Sequence, residues 1–229
     1  MQSIVRDRAI TLPILLGPLK GSWWAPGSGG KLGRLYLGTY EDDQTPLFCR
    51  HVSKGDTVLD LGANVGYYTL LASRLVGPTG RVIACEPEPL NAAYLRRHVR
   101  KNRLTNATVL QTAIGAESGS VRFTRGLGRS RGHINAGGEL SVPVDTLDRI
   151  VAAHDVVPNV MKIDVEGAEF DLLEGGMATL RDYKPVIFLS THGRDVHASC
   201  CSLLTEIGYR LTVIDDQPLP EARKLFARA

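Results

Sequence analysis

The chain has 229 residues, and no run among them is long and apolar enough to span a bilayer. The nearest candidate, residues 10–19, is short, is broken by Pro13 and Pro18, and lacks a small-residue cleavage site. Neither a membrane span nor a signal peptide is expected from it. Charge of one sign is also missing. Twenty-seven Lys and Arg against 24 Asp and Glu leave a net charge of +3, too little to argue for nucleic acid. The one dense basic run, Arg96-Arg97-His98-Val99-Arg100-Lys101, reads as the solvated face of a helix. Cysteine is scarce and unpatterned. Cys49, Cys85, Cys200 and Cys201 form no C-x-x-C, show no metal-ligand spacing, and include an adjacent pair that is poor material for a disulfide framework. Reduced thiols in a cytoplasmic protein account for them. H-E-x-x-H and G-x-S-x-G are absent, so the sequence offers no zinc signature and no serine-nucleophile elbow, and no metal site is expected. No internal repeat or low-complexity tract interrupts the chain. What remains is 43% hydrophobic and 22% charged, an ordinary globular composition at a length that fits one domain.

The pattern along the chain divides it at about residue 50. Residues 1–50 read as an N-terminal extension or lid, with a loop-like stretch at 21–30, a short strand at 35–37 and a helix at 45–52. Residues 51–229 read as a single domain in which strands at 57–61, 81–85, 108–112, 160–165, 186–190 and 209–214 alternate with helices at 65–75, 89–102, 146–153, 167–173 and 196–207. Residues 114–144 read as short strands and loops. This alternation predicts an α/β fold, a mostly parallel, doubly wound sheet with helices on both faces. Ligands in such sheets lie outside the C-terminal ends of the strands.

The first of those ends is Val58-Leu59-Asp60-Leu61-Gly62-Ala63-Asn64-Val65-Gly66. A strand, a glycine-bearing turn and a helix N-terminus form a cradle for a nucleotide-like ligand. The glycines are expected to let backbone approach the ligand. Their spacing selects the ligand: a dinucleotide fingerprint would place glycine at positions 64 and 67, where Asn64 and Tyr67 stand. The D-x-G-x-x-x-G that remains suits a ligand with a cationic amine, a carboxylate and no phosphate, a description met by S-adenosylmethionine. Asp60, Gly62, Asn64 and Gly66 are the candidate contacts.

Other strand ends add chemistry. Glu86 closes the second strand, 26 residues after Asp60, where an acid can accept both hydroxyl hydrogens of a ribose. Pro87 biases it toward an extended conformation. Ala113, after the third strand, is where backbone would meet an adenine. The fourth strand ends in Lys162-Ile163-Asp164-Val165-Glu166-Gly167-Ala168-Glu169, with Asp164 and Glu166 on one side if the chain stays extended. Glu169 can be read as a helix cap. His192 follows the fifth strand and is a candidate general base, as is Asp164. The polar loop 126–138, with Arg125, Arg129, Arg131 and His133, could line an acceptor site, and Trp23 and Trp24 could either stack on a ring or anchor the N-terminal segment.

Together, Asp60-x-Gly62-Ala63-Asn64-x-Gly66-Tyr67-Tyr68-Thr69, Glu86-Pro87, Val142-Pro143-Val144-Asp145-Thr146-Leu147-Asp148 and the run Lys162 to Glu169 resemble the FkbM-type methyltransferases over residues 36–214. The resemblance implies a Rossmann-like class I methyltransferase fold, S-adenosylmethionine as methyl donor, and O-methylation of a sugar or polyketide-type hydroxyl. It places the methionine end of the donor at Asp60, Gly62, Asn64 and Gly66, the ribose at Glu86, and a segment closing over the donor at Tyr40-Glu41; Asp164 is a further candidate for binding the donor. Ser190 departs from the pattern: many members carry an acid there, two residues before the histidine, which argues against an acid-supported His192 and against a metal. The expectation is therefore an O-methyltransferase acting on a small-molecule hydroxyl, with no nucleic-acid or membrane partner. The oligomeric state is open, a homodimer included. A catalytically silent nucleotide-binding module and an NAD-dependent oxidoreductase are the alternatives.

Overall fold

Seven short strands, most of them rich in Val, Ile and Leu, build the centre of the molecule in a computed structural model that describes residues 10–29, 31–124, the backbone of 133–134, and 137–229. The strands are β1 (Thr57–Leu61), β2 (Arg81–Cys85), β3 (Ala107–Leu110), β4 (Val160–Ile163), β5 (Val186–Ser190), β6 (Arg210–Val213) and β7 (Lys224–Arg228). Their order across the sheet is β6-β7-β5-β4-β1-β2-β3. All pairings are parallel except those of β7, which runs antiparallel to both β5 and β6. The strand order reverses between β1 and β4, which puts the topological crevice beside their C-terminal ends.

Alternation of side chains divides the core into two layers. Leu59, Leu61, Met161, Ile163, Ile187 and Leu189 point to one face. There they pack against α5 (Leu147–His154), α6 (Glu169–Glu174), α7 (Met177–Tyr183) and α8 (Arg194–Glu206). Val58, Val82, Val160, Phe188 and Phe226 point to the other, against α3 (Tyr67–Val76). The N-terminal segment joins that second layer. Ile14, Leu19, Trp24, Leu35, Phe48 and Val52 are buried in it with Tyr68 and Leu70 of α3. Helix α4 (Pro89–Lys101) is capped by Glu88, whose carboxylate accepts the Asn91 amide at 2.7 Å. Between β3 and α5, the short strands Ala113–Ile114, Gly119–Thr124, His133–Ile134 and Leu140–Asp145 form a small separate sheet in which Gly119–Thr124 and Leu140–Asp145 pair antiparallel.

Three features differ from the expected pattern. Residues 35–37 are not a strand; they end α1 (Leu32–Leu37), where Leu32, Leu35 and Tyr36 share one helical face and Gly38 closes the helix at φ 74°. Helix α2 (Thr45–His51) follows as expected. The chain restarts as a helix after Gly175-Gly176, forming α7, where no helix is expected from the pattern. Strand β7 comes after two prolines and was not anticipated.

Candidate active site

One cavity of about 890 Å³ opens at the C-terminal ends of β1, β2, β4 and β5. Its lining contains the nine residues expected to bind the donor or take part in catalysis: Tyr40, Asp60, Gly62, Asn64, Gly66, Glu86, Ala113, Asp164 and His192. The volume is within the roughly 300–1,000 Å³ of small-molecule sites.

The β1–α3 turn is stitched to β2, with the amides of Gly62 and Ala63 both donating to the Cys85 carbonyl at 3.0 and 2.9 Å. Its glycines have a packing role beside the expected one. A Cβ on Gly62, at φ +85°, would lie 1.9 Å from the Asp164 carbonyl oxygen. One on Gly66, at φ +100°, would meet Leu95 at 2.3 Å. The space a Cβ would take is filled by the protein, so the glycines let β4 and α4 close against the turn, and both still line the cavity.

Glu86 is buried, and its two oxygens hold the rim of the turn. Oε2 accepts the Asn64 amide at 2.8 Å and Oε1 the Glu88 amide at 2.9 Å. Oε1 also takes the Asn91 side-chain amide at a longer 3.4 Å; Oε2 keeps a second lone pair for one ribose hydroxyl, and Oε1 can take the other by giving up that long bond, without losing the backbone partners. Burial pushes Glu86 up to about 7 against the lowering effect of those amides. Asn64, at φ +51°, turns its own side chain back to accept the Val65 amide at 2.7 Å.

Asp60 lies deeper. Its carboxylate accepts the Thr69 hydroxyl of α3 at 2.5 Å, which pins the helix to the strand. Burial raises it to about 6, although Thr69 and Lys162 oppose the shift. Lys162 is a site residue that sequence reasoning passed over. It is 2% exposed and lines the cavity, and its ammonium donates to Ser190 Oγ at 3.1 Å and to Asp164 Oδ2 at 3.3 Å. The signal was present: a lysine inside an apolar strand with an acid two residues on, hence on the same face. Burial pulls Lys162 down, but Asp164, Glu41 and Asp60 outweigh it and the net shift is upward.

Tyr40 and Glu41 roof the cavity. The Tyr40 ring lies 4.5 Å from that of Tyr67, and Glu41 Oε2 accepts the Tyr68 hydroxyl at 2.9 Å. Asp43 reaches across to Lys224, the first residue of β7, at 2.7 Å. Trp24 lines the cavity and stacks on His98 of α4 at 4.1 Å.

At the far wall, His192 is surrounded by acids. Its Nδ1 lies 2.9 Å from Glu169 Oε1, and its Nε2 lies 3.8 Å from Asp164 Oδ1 and 3.5 Å from Glu166 Oε2. The Glu169 hydrogen bond is the largest cause of a raised His192 pKa, ahead of the opposing burial and of Asp164 and Glu166. This corrects the inference drawn from Ser190. His192 is acid-supported, and the acid comes from α6 instead of from two residues upstream. The turn that presents these acids is strained, with Glu166 at φ +53° followed by Gly167 at φ +107°. Asp164, Glu166 and His192 each offer a ligand atom within 4.8 Å of the others, close enough to share one divalent cation. The loop residues Arg125, Arg129 and Arg131 lie outside the described residues, as does the His133 side chain.

Comparison with known proteins agrees with this geometry. The methyltransferase FkbM domain matches residues 60–211. The chain is 27% identical over 151 residues to the hexuronic acid methyltransferase AglP of Haloferax volcanii, a match covering 64% of this chain and 61% of that one. It is 29% identical over 193 residues to the 31-O-demethyl-FK506 methyltransferase FkbM of Streptomyces tacrolimicus, covering 68% and 72%. Among solved structures, methyltransferase FkbM from Methylobacillus flagellatus superposes with a TM-score of 0.58 at 20% identity, covering 75% of this chain and 43% of that one. The matched region thus spans about three fifths of the Haloferax protein and less than half of the Methylobacillus chain.

Proposed function

The chain belongs to the FkbM-domain methyltransferases, and from that premise we propose that it transfers a methyl group to a hydroxyl of a sugar or polyketide-like small molecule. As a member it is an S-adenosylmethionine-dependent methyltransferase with the class I α/β fold. The choice of a hydroxyl acceptor is supported by two relatives, one named for a hexuronic acid and one for an O-demethylated FK506.

The observation that carries the reading is the pairing, in one cavity, of Glu86 at one end with His192 at the other. The residues fit the methyl donor. Glu86 would take the ribose hydroxyls, the backbone at Ala113 would border the adenine, and Asp60, Asn64 and Asp164 would face the methionine end. Bound there, S-adenosylmethionine supplies a methyl group that needs no further activation. The protein's part is alignment and proton removal. Tyr40 and Glu41 would cover the site from the N-terminal segment and exclude water. His192 Nε2 would accept the hydroxyl proton, while Asp164, held by Lys162, would keep the resulting imidazolium in place.

No helix among the described residues is long and apolar enough to cross a membrane. All four cysteines are free, in keeping with a reducing, cytoplasmic setting.

The test is calorimetry with S-adenosylhomocysteine, together with methyl transfer from labelled S-adenosylmethionine to a panel of hexoses, hexuronic acids and macrolide alcohols. The expected result is that His192→Ala binds S-adenosylhomocysteine normally and loses turnover. Unchanged turnover in His192→Ala would remove the base assignment, and unchanged turnover in Asp164→Asn would remove the supporting role of Asp164.

A further inference from the structure

Glu169 has no exposed surface, although it opens a short helix beside an open cavity. A carboxylate in that position has to be partnered. Its partners are the Gly167 amide at 3.0 Å on Oε1, the His192 amide at a longer 3.4 Å on Oε2, and His192 Nδ1 at 2.9 Å on Oε1. A cap for α6 would explain the first of these and neither of the others. The strand register brings the groups together: β4 and β5 run parallel with Ile163 opposite Leu189, so the chains leaving their ends emerge side by side. His192 lies 23 residues from Glu169 in sequence.

We propose that Glu169 is a positioning residue that holds His192 in a single tautomer, with Nδ1 protonated and Nε2 bare toward Asp164, Glu166 and the cavity. The argument is one of donors and acceptors. A carboxylate can only accept, so the ring nitrogen facing it must carry the proton. In the neutral imidazole the other nitrogen is then the sole basic atom. That atom is Nε2, 3.8 Å from Asp164 and 3.5 Å from Glu166. Glu169 never touches the acceptor; it acts through the ring, as carboxylates behind metal-bound or catalytic histidines do. The importance for turnover rests on the reading of His192 as base; the tautomer does not.

The test is long-range proton–nitrogen NMR on the full chain, labelled with ¹⁵N-histidine, bound to S-adenosylhomocysteine at alkaline pH. The expected result is His192 in the Nδ1–H form. Glu169→Leu should lose that form in favour of the Nε2–H tautomer that free histidine prefers, while Glu169→Gln, whose carbonyl can still accept, should retain it. In methyl transfer, Glu169→Leu should lower kcat by about 10–100-fold with KM for S-adenosylmethionine unchanged. An Nε2–H ring in the unaltered protein overturns the proposal without any variant, which covers the case in which Glu169→Leu does not fold. A folded Glu169→Leu that keeps the wild-type tautomer overturns it as well. The two readings fail separately: full turnover in His192→Ala removes the base whatever the tautomer, whereas loss of turnover there with normal kcat in Glu169→Leu removes only the positioning role.

Discussion

Asp60 and Lys162 stand at paired positions on the adjacent parallel strands β1 and β4, both 2% exposed. They form a charged floor under the cavity, extended by Ser190 and Asp164 and covered by the Tyr68 ring, whose centroid is 5.4 Å from the ammonium. Removing one member leaves buried charge uncompensated, at a cost of about 3–5 kcal/mol. Lys162→Met is expected to lower the unfolding free energy by about that amount. Adding Asp60→Asn should recover part of it. Urea denaturation of the two single variants and the double variant measures the coupling. Strict additivity would show that the two residues do not sense each other.

Cofactor affinity should depend on pH through Glu86. Only the ionised carboxylate accepts two ribose hydroxyls, and burial raises Glu86 to about 7 in the ligand-free protein. Affinity for S-adenosylhomocysteine is therefore expected to rise with pH through about 7 and level off above it. In Glu86→Gln the affinity should be flat over that window and lower by about 1.5–3 kcal/mol at pH 8, the worth of hydrogen bonds to a charged group. Isothermal titration at pH 6, 7 and 8 gives both readings.

A histidine far from the chemistry should set part of the acid limit of stability. The Nε2 of His98 accepts the Ala25 amide at 3.0 Å, its Nδ1 lies 2.8 Å from the Val65 carbonyl, and burial lowers its pKa to about 4. As pH falls below about 6.5 the unfolded chain takes up the proton while the folded ring resists until about 4, so stability is lost across that window. The loss approaches roughly 3 kcal/mol, from about 1.4 kcal/mol per unit. Raised groups such as Glu86 act in the opposite sense over the same range. The measurement is therefore the difference in unfolding free energy between wild type and His98→Phe, which should shrink as pH drops from 7 to 4.5. A constant difference would show that the ring is protonated equally in both states.

Zinc should inhibit. Asp164, Glu166 and His192 can close on the ion, which would then occupy Nε2. Methyl transfer is expected to fall as Zn²⁺ is added, to return with EDTA, and to be unaffected by EDTA alone. Activity lost in EDTA and restored by Mg²⁺ or Mn²⁺ would make the cluster a working metal site and displace His192 as base.

The strands and the main helices were legible because their signals are local. Thr57–Leu61, Arg81–Cys85 and Val186–Ser190 appear at the expected positions, each a β-rich apolar run bounded by turn residues or acids. Asp60, Glu86, Asp164 and His192, which share the cavity, were put forward by one rule, that parallel sheets use their C-terminal edges. Leu35–Leu37 was misread because three apolar residues fit a strand as well as a helical turn. Strand β7 was missed because its antiparallel pairing with β5 and β6 leaves no mark in its own five residues.

By itself the sequence determined the parallel α/β architecture, the adenosine-type cradle and the candidate acids, since periodicity, glycine spacing and the residue closing each strand are properties of neighbours along the chain. Tertiary structure alone decided what those residues do to one another. It gave Gly62 and Gly66 a packing role as well as a place in the cavity lining, placed Lys162 opposite Asp60, and replaced the acid missing at Ser190 with Glu169. Each of those relations joins residues on different elements, and strand register, which no local pattern encodes, sets which side chains meet.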